Sequence, residues 1–489
     1  MSYKYDFLLR NGMVVDPFAK LEGVMDVGIK AGSIAEISPE LNPDYAQESI
    51  DLKGLYILPG IIDMHAHISS WAGGKAGHKM MALAGVTTAV DMSGPIESVL
   101  DMAGDYGVGL NIACNEHIRP GKNVAGENPS PREIETLLEE SLEKGAIGLK
   151  ILGGHHPLTP EASAAAIEVA NRNKAYIAFH AGTTKMGPNI EGFLEAVKLA
   201  KGNFLHLAHI NSYCRGLVRP CLEETMEAVR SLEENPNIIS ESYLSPVNGA
   251  SAKCVDGVPK SRQTQRFLKA GGYAPTEQGL KEAILTGWAQ INAEMGGVIT
   301  LITGKEGLEY WQRKNTDTSI SFPVNPPEPR YVLATAKRRA GGFLVDAIST
   351  DGGGIPKNVI VEMGLSLVKL QALTMREFVL KTSTNPAKIL GLKNKGYLSI
   401  GADADITVVD LDKQKAVLSM VGGELIMYRG YVFGRGSQII TTKFGERYVK
   451  YKGLRTIITD ISNSDFYKGG FRSIASKSIS PGHVCLSQG

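Results

Sequence analysis

Short β-branched segments alternate with amphipathic helical patterns through the middle of the chain, over residues 58–395. Such alternation is typical of parallel βα units, in which each helix returns the chain to the same edge of a sheet. The number of segments predicts an α/β fold, a (β/α)8 TIM barrel. The candidate strands include 87–91, 147–151, 175–180, 204–209, 238–242 and 347–351.

Both ends of the chain have a different sequence pattern, in which short alternating or apolar runs are broken by Asn-Gly, Ala-Gly and Gly-Gly turns. This pattern is typical of antiparallel strands joined by tight turns. We therefore predict a small β-sandwich domain assembled from residues 1–57 and 396–450, flanking a barrel domain at 58–395. The connection between the seventh and eighth predicted strands, at about residues 244–341, is much longer than an ordinary βα loop. Its length predicts an inserted lid or an oligomer contact. Residues 451–489 are polar and predict an extended tail.

The composition argues against several classes of function. The 52 basic and 51 acidic residues nearly balance, and no basic cluster interleaved with aromatic residues occurs, so we expect no nucleic-acid partner. No apolar run reaches the roughly 18–20 residues that span a bilayer, and the N-terminus lacks a signal-peptide pattern. We therefore expect no membrane partner and a cytoplasmic location. The five cysteines form no Cys-x-x-Cys pair, which argues against a disulfide framework or a structural zinc knuckle.

Side chains that bind metals or could be modified to do so lie at or just after the ends of predicted strands. Catalytic groups of such barrels lie at this end of the strands. The histidines of a His-x-His pair point to the same side of an extended segment and can hold one ion together. A lysine buried at the end of an apolar strand has a lowered pKa, which makes its neutral amine available. The candidate residues are His65, His67, Lys150, His180, His209 and Asp351.

Each of these residues also has an ordinary explanation. A single histidine is more often a hydrogen-bonded core residue, Lys150 could extend into solvent, and Asp351 could cap the glycine turn that follows it. Together they supply imidazole nitrogen, carboxylate oxygen and a modifiable lysine, a set that suits divalent metal ions. The combination predicts a metal-dependent hydrolase.

Two longer motifs carry a resemblance to a known family. The segment 58–67, Leu-Pro-Gly-Ile-Ile-Asp-Met-His-Ala-His, is similar to the first-strand motif of the amidohydrolase superfamily. Residues 384–387 and 401–410 are similar to its return from barrel to sandwich. The chain resembles the dihydroorotase and hydantoinase branches in the strand that ends at Lys150, and the D-aminoacylase branch in its insertion after the seventh strand.

This resemblance implies a site with two divalent metal ions, usually zinc. His65, His67 and Asp351 would bind the more buried ion, His180 and His209 the outer ion, and an N6-carboxylated Lys150 would bridge them. A hydroxide shared by the ions would attack an amide carbon. Asp351 would accept the proton of the attacking water and then deliver it to the leaving nitrogen.

Several substrate classes are compatible with these motifs. The hypotheses are hydrolysis of a cyclic amide, hydrolysis of an N-acyl amino acid or dipeptide, and deamination of an amidine. A metal-free, hydantoinase-like scaffold protein is the non-enzymatic alternative. His155, Tyr213 and Arg215 could contact a small-molecule substrate, although each could equally be an ordinary polar loop residue. The resemblance also implies a homo-oligomer.

Overall fold

A computed structural model describes residues 3–468, and its centre is a curled, parallel β-sheet. The strands of this sheet alternate with helices that cover its outer surface. Neighbouring strands pair in the order of the sequence. We number the strands β1 (Ile61–His67), β2 (Val86–Asp91), β3 (Asn111–His117), β4 (Gly148–Leu152), β5 (Tyr176–His180), β6 (Leu205–Leu207), β7 (Ile238–Tyr243) and β8 (Ala347–Ser349).

A helix follows every one of these strands, as the alternating pattern predicts. The strands are buried on both faces, which explains their nearly continuous apolar runs. The helices are α1 (Gly74–Leu83), α2 (Ile96–Asp105), α3 (Pro131–Lys144), α4 (Pro160–Arg172), α5 (Ile190–Ala200), α6 (Cys221–Glu234), α7 (Pro327–Thr335) and α8 (Ile360–Lys369). The shorter helices Met375–Val379 and Asn385–Ile389 follow α8.

The start of α3 is formed by the capping box that the sequence predicts. The backbone N–H of Glu133 donates to the Ser130 hydroxyl at 3.3 Å, and the Glu133 carboxylate accepts from the Ser130 backbone N–H at 2.8 Å. Pro131 occupies the first turn, and the helix ends at Gly145, whose φ of 113° favours glycine. Local sequence therefore defines both ends of this helix.

The first and last strands of the parallel sheet lie side by side. β8 pairs with β7, and the segment that follows it pairs in parallel with β1, matching Gly352 with Ala66 and Gly353 with His67. The backbone N–H of Asp351 donates to the carbonyl of His65 at 2.9 Å. This pairing brings the carboxyl ends of β1 and β8 together. His65 and His67 therefore lie at the same edge as Asp351, which follows them by 286 and 284 residues.

Strands from both ends of the chain form one further sheet, as expected from their turn-rich sequences. Its apolar side packs around Val14, Ile57 and Val408. The predicted break at Asn11-Gly12 is instead a register shift within one long strand, where Asn11 adopts a φ of 59°. The strands of this sheet are Tyr5–Asp16, Leu21–Lys30, Ser33–Ser38, Ala46–Asp51, Tyr56–Pro59, Ile406–Asp410, Lys415–Val421, Glu424–Tyr428 and Tyr431–Val432.

The C-terminal segment differs from the prediction. Gln438–Thr441 pairs with β3 and with Arg455–Ile458, so the chain leaves the terminal sheet before residue 450. Residues 451–468, predicted as part of an extended tail, include this last strand and the helix Asp465–Lys468. Phe466 and Tyr467 are buried against the parallel sheet and its helices, which outweighs the polar character of the surrounding sequence. The remainder of the predicted tail, 469–489, lies outside the described residues.

The long connection between β7 and β8 forms a compact unit with its own antiparallel sheet. Trp311 and Phe322 lie in its separate apolar core. The connection contains strands Asn248–Ser251, Cys254–Val255, Val258–Pro259, Gln290–Met295, Val298–Ile302 and Ser319–Phe322, and helices Arg262–Ala270, Glu277–Leu285 and Gly304–Arg313.

Within residues 3–468, no helix has the length and apolar character needed to cross a membrane.

Candidate metal centre

The predicted ligands collect at the carboxyl edge of the parallel sheet. His65 and His67 lie on β1, and His180 is the last residue of β5. His209 and Asp351 each follow the end of a strand and have positive φ angles of 36° and 51°, which few non-glycine residues adopt. Such backbone conformations are concentrated at functional sites.

His65, His67 and Asp351 form a compact group in which the potential ligand atoms lie within 4.8 Å of one another. Nε2 of His67 lies 2.9 Å from Oδ1 of Asp351, and Nε2 of His65 lies 3.5 Å from the same oxygen. Asp63, two residues before His65, accepts hydrogen bonds from the backbone N–H and hydroxyl of Thr350. This contact ties β1 to the end of β8 and fixes the spacing within the group.

His180 and His209 form a second pair beside the first. Nε2 of His209 lies 3.0 Å from Nδ1 of His180, and the His209 ring stacks on the His65 ring with centroids 5.0 Å apart. The two groups are therefore continuous rather than separate. The structure brings together all four histidines and the aspartate that the sequence predicts as ligands.

Oxygen-bearing side chains orient three of the four histidine rings. Nδ1 of His65 contacts the Glu241 carboxylate at 2.7 Å, and Nδ1 of His67 contacts the Ser93 hydroxyl at 2.6 Å. Nδ1 of His209 contacts the Ser212 hydroxyl at 2.7 Å. Each contact leaves Nε2 directed toward the shared centre. Metal-binding histidines usually have a second ring nitrogen held in this way.

Burial sets the protonation of three of the four rings. It lowers the pKa of His65, His180 and His209 well below the usual value, and the nearby Lys150 adds to the effect. The rings are therefore neutral at physiological pH, with a lone pair available on each. Neutral imidazole is the form that binds metal ions.

Lys150 is the third residue of β4 rather than its last, and it is completely buried. Among the described residues, its Nζ has no hydrogen-bond partner. Burial lowers the pKa of Lys150 to about 8. A buried lysine without a partner is costly as an ammonium ion, so this environment favours the neutral amine.

Asp351 is held ionised by a residue that the sequence did not reveal. Burial opposes ionisation, but the Lys357 ammonium and the hydrogen bond from His67 outweigh it and hold the pKa of Asp351 well below its usual range. Nζ of Lys357 contacts the second carboxylate oxygen of Asp351, donates to Oδ1 of Asn248 at 3.1 Å, and lies 3.8 Å from the centre of the Tyr243 ring. Asp351 therefore remains a carboxylate at neutral pH.

Glu241 is the second functional residue that the sequence did not reveal. It is fully buried, accepts from His65, and also accepts from the backbone N–H of His209 at 2.7 Å. One carboxylate thus fixes a member of each histidine group. The only sequence signal is its position in the polar run Ser240-Glu241-Ser242 of an otherwise apolar strand.

A cavity of about 1540 Å³ opens above this centre. Its floor contains His65, His67, His180, His209 and Asp351. The inserted unit supplies part of the wall, including Phe267 and Trp288. The insertion therefore forms part of the cavity wall.

The three predicted substrate residues have different environments. His155 lines the cavity, and its ring centroid lies 6.3 Å from that of His180. Arg215 also lines the cavity and donates to Oδ1 of Asn325 at 2.9 Å and to the Tyr243 hydroxyl at 2.8 Å. Tyr213 is fully buried, and its hydroxyl accepts from the backbone N–H of Ala181. We therefore assign Tyr213 to support of the histidine rings, which it contacts with its own ring.

The chemistry of the donor set suits divalent transition metals. Four imidazoles, three of them with a second ring nitrogen held by an oxygen-bearing side chain, lie beside an ionised carboxylate. Zinc prefers nitrogen and carboxylate oxygen ligands in this combination. The residues present therefore fit the metal ions that the sequence motifs imply.

The fold and the ligand cluster define an α/β protein with a candidate metal centre at the carboxyl edge of a parallel sheet. Residues 56–231 and 332–436 match the model of the family described as the amidohydrolase family. The matched segments span more than half of the chain, and the gap between them contains β7 and the inserted unit. The chain belongs to the amidohydrolase family. This membership confirms the prediction of a hydrolytic enzyme.

Individual relatives are more distant. A dihydroorotase from Elusimicrobium minutum is 24% identical over 447 residues, which cover 83% of this chain and 89% of the relative. A D-hydantoinase structure superposes with a TM-score of 0.59 at 17% identity, covering 89% and 98% of the two chains. N-acyl-D-glutamate deacylase from Bordetella bronchiseptica, solved with zinc and a phosphonate inhibitor, gives a TM-score of 0.62 at 16% identity, covering 89% and 99%.

Proposed function

We propose that this chain is a metal-dependent hydrolase that cleaves the C–N bond of a cyclic amide. The observation that carries the proposal is the convergence of His65, His67, His180, His209 and Asp351 at the floor of one cavity. The curled parallel sheet is interpreted as an eight-stranded barrel and the sheet built from both chain ends as a separate β domain. This arrangement would place the cluster where such barrels carry their active sites.

The proposed metal content is two divalent ions, with zinc as the native metal. His65, His67 and Asp351 would hold one ion, His180 and His209 the other, and N6-carboxylated Lys150 would contact both. When bound, the ions would supply activated water and a Lewis acid for the amide carbonyl oxygen. The neutral state of His65, His180 and His209 supports this assignment. The absence of a hydrogen-bond partner for Lys150 within residues 3–468 supports it as well.

Asp351 is the proposed general base and general acid. Its carboxylate lies at the cavity floor and is ionised at neutral pH because of Lys357 and His67. An oxygen of Asp351 accepts a proton from the attacking water and then delivers it to the leaving nitrogen. Lys357 acts by holding the carboxylate, since it is itself buried away from the cavity.

A second candidate function is hydrolysis of an N-acyl amino acid. The cavity volume exceeds the roughly 300–1,000 Å³ typical of small-ligand pockets, and the inserted unit contributes to its wall. Arg215 is the proposed contact for a substrate carboxylate, and His155 the proposed contact for the amide oxygen. Amidine deamination and a metal-free scaffold role are weaker alternatives, because the full set of candidate ligands is retained.

The experiment is a substrate screen of metal-replete enzyme against hydantoins, dihydropyrimidines, lactams and N-acyl amino acids. Cyclic-amide turnover supports the leading proposal, and N-acyl amino acid turnover supports the second. Turnover of neither class by protein that retains its metals would contradict both. Light scattering of the same preparation tests the proposed homo-oligomer.

A further inference from the structure

His117 is an unusual buried histidine at the end of β3. Its side chain is fully buried, yet within residues 3–468 neither ring nitrogen has a hydrogen-bond partner. Buried polar atoms in folded proteins nearly always have a partner. The two ring nitrogens of His117 are therefore available to a polar group beside the ring.

Lys150 is the direct neighbour of His117 in the sheet. The two residues are paired in register between the parallel strands β3 and β4. Residues paired in this way project from the same face of a sheet. Two buried polar side chains, both unpartnered in the described chain, therefore lie side by side.

A second histidine, His156, lies against the His117 ring without pairing with its nitrogens. The ring of His156 packs against it with centroids 4.9 Å apart, and Nδ1 of His156 also lacks a partner in the described part of the chain. Burial, followed by the neighbouring His156 and Arg119, lowers the pKa of His117 to about 2. The ring is therefore neutral and carries one N–H donor and one acceptor nitrogen.

We propose that His117 is a positioning residue that donates a hydrogen bond to the carboxylate of N6-carboxylated Lys150. The inference rests on the proposed function, which includes this modification. In the modification step the neutral amine attacks the carbon of CO2, the new N–C bond forms, and a C=O electron pair moves to oxygen. The proton released from nitrogen passes to water. The product carboxylate supplies the acceptor that His117 lacks.

The test measures carboxylation directly on the full-length, metal-free protein. The protein is equilibrated with 13C-bicarbonate, and the carbamate carbon is quantified by 13C NMR, with Lys150→Ala identifying the signal. His117→Leu removes the donor, whereas His117→Gln retains an amide N–H. His78→Gln is the matched control, because His78 is a buried histidine on α1 that contacts a backbone carbonyl.

We expect His117→Leu to lower the equilibrium constant for carboxylation about tenfold, the effect of one hydrogen bond to a charged group. His117→Gln should recover most of this loss, and His78→Gln should match the wild type. Equal carboxylation in His117→Leu and wild type, or an equal loss in the leucine and glutamine variants, would overturn the inference. His117→Met replaces the leucine variant if the latter does not fold.

A wild-type protein without a Lys150-dependent signal would overturn both this inference and the proposed modification. A normal wild-type signal that does not respond to His117 substitution would overturn only the role of His117. The two failures are therefore distinguishable.

Discussion

The two halves of the candidate metal centre differ in how completely their polar groups are paired. In the β1/β8 half, Glu241, Ser93 and Lys357 hold His65, His67 and Asp351. In the β4/β5/β6 half, His180 and His209 contact each other, while Lys150 has no hydrogen-bond partner among residues 3–468. The first half is organised by protein contacts alone. In the second half, the Lys150 amine is the group for which we propose an added carboxylate.

The largest effect should follow from disrupting the organised half at Asp351. Asp351→Asn removes the proposed proton acceptor and donor but keeps an oxygen at the same position. We expect the turnover number to fall about 10²–10⁴-fold, the usual contribution of general acid–base catalysis. The measurement is steady-state kinetics with metal content determined on the same sample.

The control is Asp317→Asn, an exposed aspartate on the cavity wall that pairs with Lys253 at 2.6 Å. Its turnover number should stay within a few-fold of the wild type. Turnover by Asp351→Asn within a few-fold of the wild type, with metals still bound, would contradict the proposed role of Asp351.

Glu241 connects the two halves, so its loss should affect both. Glu241→Ala leaves Nδ1 of His65 and the backbone N–H of His209 without their acceptor. We expect metal affinity to fall about 10–100-fold, as for other residues that orient metal ligands. Competition with a chelator measures this affinity, and Ser93→Ala, which affects only His67, should have a smaller effect. Equal affinities in wild type and Glu241→Ala would show that the carboxylate does not organise the centre.

Lys150 should make the stability of metal-free, CO2-free protein depend on pH. Its pKa is about 8 when folded and about 10.4 when unfolded, so the unfolded state binds more protons between these values. Stability should therefore rise with pH across this window, and the penalty should be fully present below pH 8. Urea unfolding of the wild type should show the free energy of unfolding rising by a few kcal/mol across this window. Lys150→Met should lack this rise. The same pH slope in both proteins would contradict a buried, unpartnered amine.

Arg215 should have the smallest effect of these sites because it lies above the centre rather than in it. For an acidic substrate, Arg215→Ala should raise KM about tenfold, the loss of a charge-assisted hydrogen bond. Arg215→Lys keeps the charge but loses the planar fork, so an intermediate KM is expected. An unchanged KM would remove Arg215 from the substrate pocket.

The sequence predicted the parallel strands and placed the candidate ligands at strand ends because both inferences depend on local patterns. Alternating apolar runs located β4, β5 and β7, and the strand-end rule located His180 and Asp351. Glu241 and Lys357 were missed because their roles depend on contacts between segments that are distant in sequence. Lys357, for example, contacts Asn248 across 109 residues.

The errors at the C-terminus have a similar cause. Phe466 and Tyr467 lie in a polar stretch that shows no apolar periodicity, and only their contacts with α4 and β5 reveal that they are buried. The same limitation applies to Tyr213, whose hydroxyl is occupied by the Ala181 backbone N–H. Tertiary contacts, rather than local propensity, decided these positions.

The central claim is that side chains from five strands form one centre for two metal ions. Elemental analysis of purified, metal-replete protein after dialysis tests it most directly, with Lys150→Ala measured in parallel. We predict about two zinc equivalents per chain in the wild type, as in two-metal hydrolytic sites, and fewer in the variant. Folded wild-type protein that retains no metal would contradict the account.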